Sequence, residues 1–185
     1  MAQSSVAERL TAHLQTTPRL HVDFVQTRTL AALSRPLKTT GKLVLAREQG
    51  VIWQVKKPLN LTYVMGPKGM KEVGADGKAR LKTAQDVPMV AQMGRIFQGL
   101  LQGRWSVLEE YFTVKGEGTP EQWRILLAAK PQTAAFVKAV DVKGGRFIDR
   151  IVVTEASGDT MELRFEKPRP NEPLSDEELR LFRFE

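Results

Sequence analysis

Two histidines, two acidic runs and one arginine in a turn are the residues of this chain whose types could do chemistry: His13, His21, Glu109-Glu110, Asp176-Glu177-Glu178 and Arg47. Proton transfer or metal binding would need a partner group at fixed spacing from a histidine. His13 falls instead in a helical pattern and His21 in an alternating one, and no metal-ligand spacing surrounds either. Both are expected to be solvated or packed. The acidic runs lie in helix-prone segments, where solubility and the helix dipole account for them. The chain has no cysteine, which removes thiolate nucleophiles, thiolate metal sites and disulfides. It also lacks a Gly-x-Ser-x-Gly elbow, a phosphate loop and a dinucleotide fingerprint. The expectation is no catalytic residue, no metal, no cofactor and no enzymatic activity.

Arg47 is positioned by the hairpin around it. Leu43, Leu45, Val51, Trp53 and Val55 fall on odd positions, with Lys42, Gln54 and Lys56 between them, the period of two of a strand pair with one buried face. Arg-Glu-Gln-Gly at 47–50 supplies the turn, and Pro58 ends the second strand because it cannot donate to a ladder. Arg47 sits where the odd, apolar face continues into the turn.

Around this hairpin the chain reads as short, locally connected strands. Residues 4–16 are an amphipathic helix with a Ser5 and Glu8 capping box and Val6, Leu10 and Leu14 on one face. Leu20, Val22 and Phe24 alternate in a strand over 19–28. Leu59, Leu61, Tyr63 and Met65 continue the alternation, and a basic hairpin turns at Ala75-Asp76-Gly77. Between 86 and 102 the period changes: Met89, Val90, Met93, Ile96, Phe97, Leu100 and Leu101 recur at helical spacing, with Gly103 as the stop. Strands return after Trp105 and continue to Glu166; residues 168–173 are an extended connector, and Ser175 with Glu178 caps a short terminal helix. The expected fold is mainly β: a single strongly curved antiparallel sheet of ten or eleven strands forming an unclosed β-barrel, its concave face covered by the amphipathic helices at 4–16 and 86–102. One domain over 1–185 is expected.

The net charge of +7 is uneven: residues 1–85 hold 14 Lys and Arg against 5 Asp and Glu, and residues 86–185 hold 14 against 16. A basic half suits an acidic partner or a transient membrane-surface contact. No nucleic-acid recognition signature accompanies it. Large apolar side chains on a curved sheet beneath a methionine-bearing helix fit a pocket for a greasy ligand, or else they fill a core.

Leu20-His-Val-Asp-Phe24-Val-Gln26, then Gly41-Lys-Leu-Val-Leu-Ala-Arg47, then Trp53 and Lys57-Pro58, resemble the LolA-type periplasmic carriers of outer-membrane lipoproteins. The resemblance implies a monomeric carrier, periplasmic once any leader is removed, that takes acyl chains of lipoprotein or another lipid from an inner-membrane exporter to an outer-membrane acceptor. It implies an acyl-chain cavity walled by Val22, Phe24, Leu43, Leu45, Val51, Trp53, Val55, Leu61, Tyr63 and Met65. Met89, Met93, Ile96, Phe97, Leu100 and Leu101 would form its lid, and Arg47 the lid latch. The strand pair at Met70-Lys-Glu-Val and Lys78-Ala-Arg-Leu is basic where the family is aromatic, which suits another lipid cargo. A lipid-binding sensor or scaffold of the same fold, regulating a protein partner, is the alternative.

Overall fold

The computed structural model describes residues 2–82, 96 and 98–184. Its strands are β1 (Arg19–Thr29), β2 (Leu37–Ala46), β3 (Gly50–Lys57), β4 (Leu61–Gly66), β5 (Gly69–Val73), β6 (Ala79–Lys82), β7 (Phe112–Thr119), β8 (Gln122–Ala129), β9 (Val137–Gly144), β10 (Ile148–Glu155) and β11 (Thr160–Pro170). They form one antiparallel sheet in the order β6-β5-β4-β3-β2-β1-β11-β10-β9-β8-β7, and among the described residues β6 and β7 are its unjoined edges. The expected unclosed sheet is therefore present. Short connections make nearly every neighbour in sequence a neighbour in the sheet; only β1 and β11 meet across a long stretch of chain.

The helices are α1 (Ala2–Thr11), extended by a 3₁₀ segment at Ala12–Thr16, α2 (residues 98–102), α3 (Trp105–Leu108) and α4 (Asp176–Leu181). Among the described residues no helix is long and apolar enough to cross a membrane. The expected helix over 86–102 is described only at 96 and 98–102, which are helical, and Gly103 follows with the positive φ of 67° expected of its stop. Asp86, Met89, Val90, Met93 and Phe97 lie outside the described residues.

The chain divides into two compact units, residues 1–16, 25–38 and 99–166, and residues 17–24, 39–98 and 167–185. In the first, strands β7–β10 alternate as expected: Phe112, Val114, Trp123, Ile125, Leu127, Val140, Val142 and Ile151 are buried. Helix α1 packs on β7. Its buried stripe is Ala7, Thr11 and Leu14 rather than Val6, Leu10 and Leu14, and Ser5 lies inside the helix instead of capping it. Small residues win at this face because the backbones approach closely: a Cβ on Gly116 of β7 would sit 3.1 Å from the Ala7 Cα. Thr11 also satisfies a buried indole, accepting from Trp105 Nε1 at 2.6 Å while donating to the Ala7 carbonyl at 2.7 Å. Trp105 opens α3, which was not expected, since a four-residue helix is too short to show a period.

In the second unit both faces of β2–β4 are apolar. Direct partners share a face, so the register Leu43↔Trp53↔Tyr63 and Leu45↔Val51↔Met65 makes the expected odd-numbered row. The register Val44↔Ile52↔Val64 makes a second, fully buried row on the other side. Against that second row pack Leu174, Leu181, Phe182 and Phe184 of the C-terminal segment. The expectation of a single buried face on this hairpin is thus corrected. Leu59, expected in the alternating strand, precedes β4 and is 70% exposed.

Candidate functional site

The residues expected to wall a cavity are brought together in part by one aromatic contact. Phe24 of β1 stacks on Trp53 of β3, ring centroids 4.1 Å apart and planes 23° apart. The strand between them in the sheet, β2, carries Gly41 at the crossing. A Cβ there would lie 1.9 Å from the Gln54 carbonyl oxygen and 2.7 Å from the Phe24 ring. Only glycine leaves room for the ring to cross the strand. Phe24, Gly41 and Trp53, three separated motif residues in the sequence, are one packing unit.

On the same side of the sheet, Val22, Leu43, Leu45, Val51 and Met65 are buried, while Val55, Leu61 and Tyr63 are half-buried. The wall therefore grades from buried near the Arg47 turn to partly exposed toward Lys57. Ile96, Leu100 and Leu101 of the expected lid are buried as well.

Arg47 is anchored twice to the chain that follows α1. Its backbone N–H donates to the Pro18 carbonyl at 3.0 Å, and its Nε donates to the Thr17 carbonyl at 2.8 Å. A guanidinium offers five donors in a rigid fork, so fixing Nε also fixes the direction of the terminal nitrogens. The turn below it is built on Gly50, whose φ of 131° needs glycine.

The two histidines have structural partners. His13 Nε2 lies 2.5 Å from the Gly145 carbonyl, which also accepts from Trp123 Nε1 at 2.8 Å. A carbonyl only accepts, so that nitrogen carries the His13 proton. Of the two outcomes expected for it, solvated or packed, His21 is packed, at 1% exposed. Its Nε2 faces both Glu178 carboxylate oxygens at 2.9 and 3.1 Å, and its Nδ1 lies 3.5 Å from Glu172 Oε2 without hydrogen-bond geometry. Lys42 reaches Glu178 at 3.5 Å. Glu178 also completes the expected capping box with Ser175. Burial would push the Glu178 carboxyl up, but hydrogen bonds from His21 and the Ser175 backbone, with the charges of His21 and Lys42, hold it below the usual carboxylate range. This cluster pins α4 to β1 and β2. No sequence signal marked it beyond the capping box itself.

Lys71 adds a second pin. It shares its face with Val64 by register, donates from Nζ to the Arg183 carbonyl at 2.8 Å and lies 5.2 Å from the centre of the Phe184 ring. Burial lowers its ammonium below the ordinary lysine value.

A groove of about 830 Å³ opens elsewhere, among the ends of β7–β11 in the first unit. Its lining includes Glu117, Arg124, Lys143, Asp149, Arg150, Arg164 and Glu166, with Trp123 and Phe165, and none of the residues expected to wall an acyl cavity. Arg124, Lys143, Arg150 and Arg164 stand directly opposite one another on four strands. Three of them have carboxylate partners: Arg124 pairs diagonally with Asp141 at 2.7 Å, and Arg150 from the next strand and Arg164 from the same strand share Glu162, each at 2.5 Å. Hydrogen bonds from Arg164, against the opposing effect of burial, and then from Arg150 hold the Glu162 carboxyl low. The groove carries charged side chains of both signs beside the Trp123 and Phe165 rings. Among the described residues no group of three His, Asp or Glu is arranged to hold a metal ion.

The family described as outer membrane lipoprotein carrier protein LolA-like matches residues 2–160. A search of curated proteins finds no match. A LolA superfamily protein from Nitrosomonas europaea superposes with a TM-score of 0.51 at 8% identity, covering 95% of this chain and 96% of its own. A domain described as an outer membrane lipoprotein-sorting protein from Vibrio parahaemolyticus gives 0.53 at 10% identity, covering 98% and 99%. A chain of the MucA/MucB complex from Pseudomonas aeruginosa gives 0.54 at 12% identity, covering 97% of this chain and 60% of that one. At these identities the likeness is one of fold. With most of its length matched by the family, the chain belongs to the LolA-like outer membrane lipoprotein carrier proteins.

Proposed function

We propose that this protein is a periplasmic carrier that takes acyl chains of lipoprotein or another lipid against the wall formed by Phe24, Leu43, Leu45, Val51, Trp53 and Met65 and moves them between the inner and outer membranes. The observation that carries the reading is the Phe24-Gly41-Trp53 unit, which builds an aromatic floor from residues on which the sequence resemblance rests. Val22, Val55, Leu61 and Tyr63 extend that wall. The segment holding Met89, Met93, Ile96, Phe97, Leu100 and Leu101 is its lid, and Arg47 is the latch that keeps the lid closed when the site is empty. An inner-membrane exporter loads the carrier and an outer-membrane acceptor unloads it.

Magnitudes favour a latch. A buried CH₂ contributes ~0.8 kcal/mol, so a chain of roughly sixteen carbons gains on the order of 12 kcal/mol gross. Cargo held that tightly leaves slowly unless an alternative closed state offsets the gain. Arg47→Leu removes charge-assisted hydrogen bonds and is expected to slow release of a fluorescent acyl probe to acceptor vesicles by about tenfold. Unchanged release kinetics would remove Arg47 from the mechanism. Native mass spectrometry of the purified protein tests the reading as a whole: co-purifying fatty acid or phospholipid is expected, and persistent failure to take up any acyl probe sinks it.

A regulatory, lipid-sensing role rests on one observation, the structural likeness to a chain crystallised in the MucA/MucB complex. A sensor would bind the same probes without transferring them between vesicles.

A further inference from the structure

Three turns at one rim of the first unit are tied together by hydrogen bonds, and they present large apolar side chains to solvent. The β1–β2 loop exposes Leu33 by 47%, and Leu37, which opens β2, is 49% exposed. The turn before β9 exposes Phe136 by 40%. The β10–β11 turn joins the two: Asp159 Oδ1 accepts from the Ala31 N–H at 2.9 Å, and the Ala156 N–H donates to the Phe136 carbonyl at 3.0 Å. Arg28 of β1 meets Glu155 of β10 at 2.7 Å below them.

These side chains protrude from ordered backbone. Thr133 and Ala134 both donate to the Lys130 carbonyl, and Phe136 and Val137 both donate to that of Thr133, so Phe136 stands on a hydrogen-bonded turn. Leu33 closes a turn onto Leu30 at 3.0 Å. Holding apolar groups in water on a rigid support has a cost that a partner surface would recover.

The charges choose the partner. Arg35 and Lys38 interleave with Leu33 and Leu37, and Lys138 follows Phe136 by two residues; all three are exposed. Among the described residues none of the three is in an ion pair. The rim's acids are turned to internal use, Glu155 by Arg28 and Asp159 by Ala31 and Ser157. Single apolar side chains interleaved with cations do not make the contiguous apolar core of a protein interface. They match the bilayer boundary, where leucine and phenylalanine enter the acyl region while lysine and arginine stay with the phosphates.

We infer that Leu33, Leu37 and Phe136, with Arg35, Lys38 and Lys138, form a rim that docks the protein on an anionic phospholipid surface. The inference deepens the carrier reading, since a carrier has to meet a membrane at either end of its route, but its geometry is separate from the acyl wall.

Co-sedimentation with vesicles of phosphatidylethanolamine and phosphatidylglycerol tests it, with phosphatidylcholine vesicles as the zwitterionic comparison. The wild-type protein is expected to partition onto the anionic vesicles and to be released by salt. Leu33→Ser, Leu37→Ser and Phe136→Ser combined should lower that partition by about tenfold or more, and each of Arg35→Glu and Lys38→Glu by about fivefold. Acyl-probe affinity and the thermal midpoint should stay as in wild type. A wild-type protein that ignores anionic vesicles, prefers zwitterionic ones, or binds equally well with the triple substitution overturns the rim. If the rim variants lose vesicle binding while wild type takes up no acyl probe, the rim stands and the carrier reading falls.

Discussion

Strands β7–β10 and strands β2–β4 use the same antiparallel pairing but treat their faces in opposite ways. Along β7–β10 one face is core and the other is a charged mesh, with Arg124 on Asp141 and Arg150 on Glu162. Along β2–β4 both faces are apolar, and the second is filled by Leu174, Leu181, Phe182 and Phe184. The difference teaches that one pairing pattern can serve strands buried on one face and strands buried on both. Where the C-terminal segment covers Val44, Ile52 and Val64, those contacts hold the strands from the side opposite Phe24 and Trp53.

The sharpest way to break the contrast is at two glycines, one in each region, where another part of the chain approaches closely. Gly41→Ala places a Cβ 1.9 Å from a backbone oxygen and should cost about 3 kcal/mol or more. Gly116→Ala meets Ala7 at 3.1 Å and should cost about 1 kcal/mol. Equal denaturation midpoints for the two variants would contradict the packing described. Next in size is a matched pair of hydroxyl substitutions. Ile52→Thr buries a hydroxyl beneath the C-terminal segment and should lose about 2 kcal/mol, whereas Val152→Thr, half-exposed on the charged face of β10, should lose under about 0.5 kcal/mol. If the two losses match, β2–β4 does not have a second core face.

Glu178→Gln comes third, at about 1–2 kcal/mol, because it weakens both the capping box and the contact with His21. Its pH dependence has a definite sign. The carboxyl titrates lower in the folded protein than in the unfolded chain, so its contribution is complete above the ordinary carboxylate range and is lost as pH falls through the folded value. Acid titration of thermal stability should show a shallower acid limb in the variant. Smallest is Arg150→Ala on the charged mesh, expected within about 1 kcal/mol and smaller still in high salt.

Much of this architecture was legible in the chain. The alternation of Trp123, Ile125 and Leu127, interrupted at Leu126, and the turn glycines Gly50 and Gly77 mark strands and hairpins without tertiary information, and both glycines have positive φ. The motif residues Phe24, Gly41 and Trp53 identified the family, but not that they touch, since contact across three strands has no sequence period. The second core face did leave a trace. Leu43-Val-Leu-Ala46 and Val51-Ile-Trp53 are continuous apolar runs, the mark of strands buried on both sides, and reading only their odd positions hid it. His21 was opaque for another reason: its partners Glu172 and Glu178 lie far along the chain, and nothing local announces them.

The C-terminal segment also sets an order on synthesis. Val44, Ile52 and Val64 leave the ribosome long before Leu174, Phe182 and Phe184 are made. Until then the nascent chain carries an uncovered apolar strip on pleated strands, the kind of surface that draws chains together. Completion of the second unit therefore waits for Leu174, Leu181, Phe182 and Phe184. A chain halted before Leu174 is expected to need a holding chaperone, while one halted after Phe184 is not.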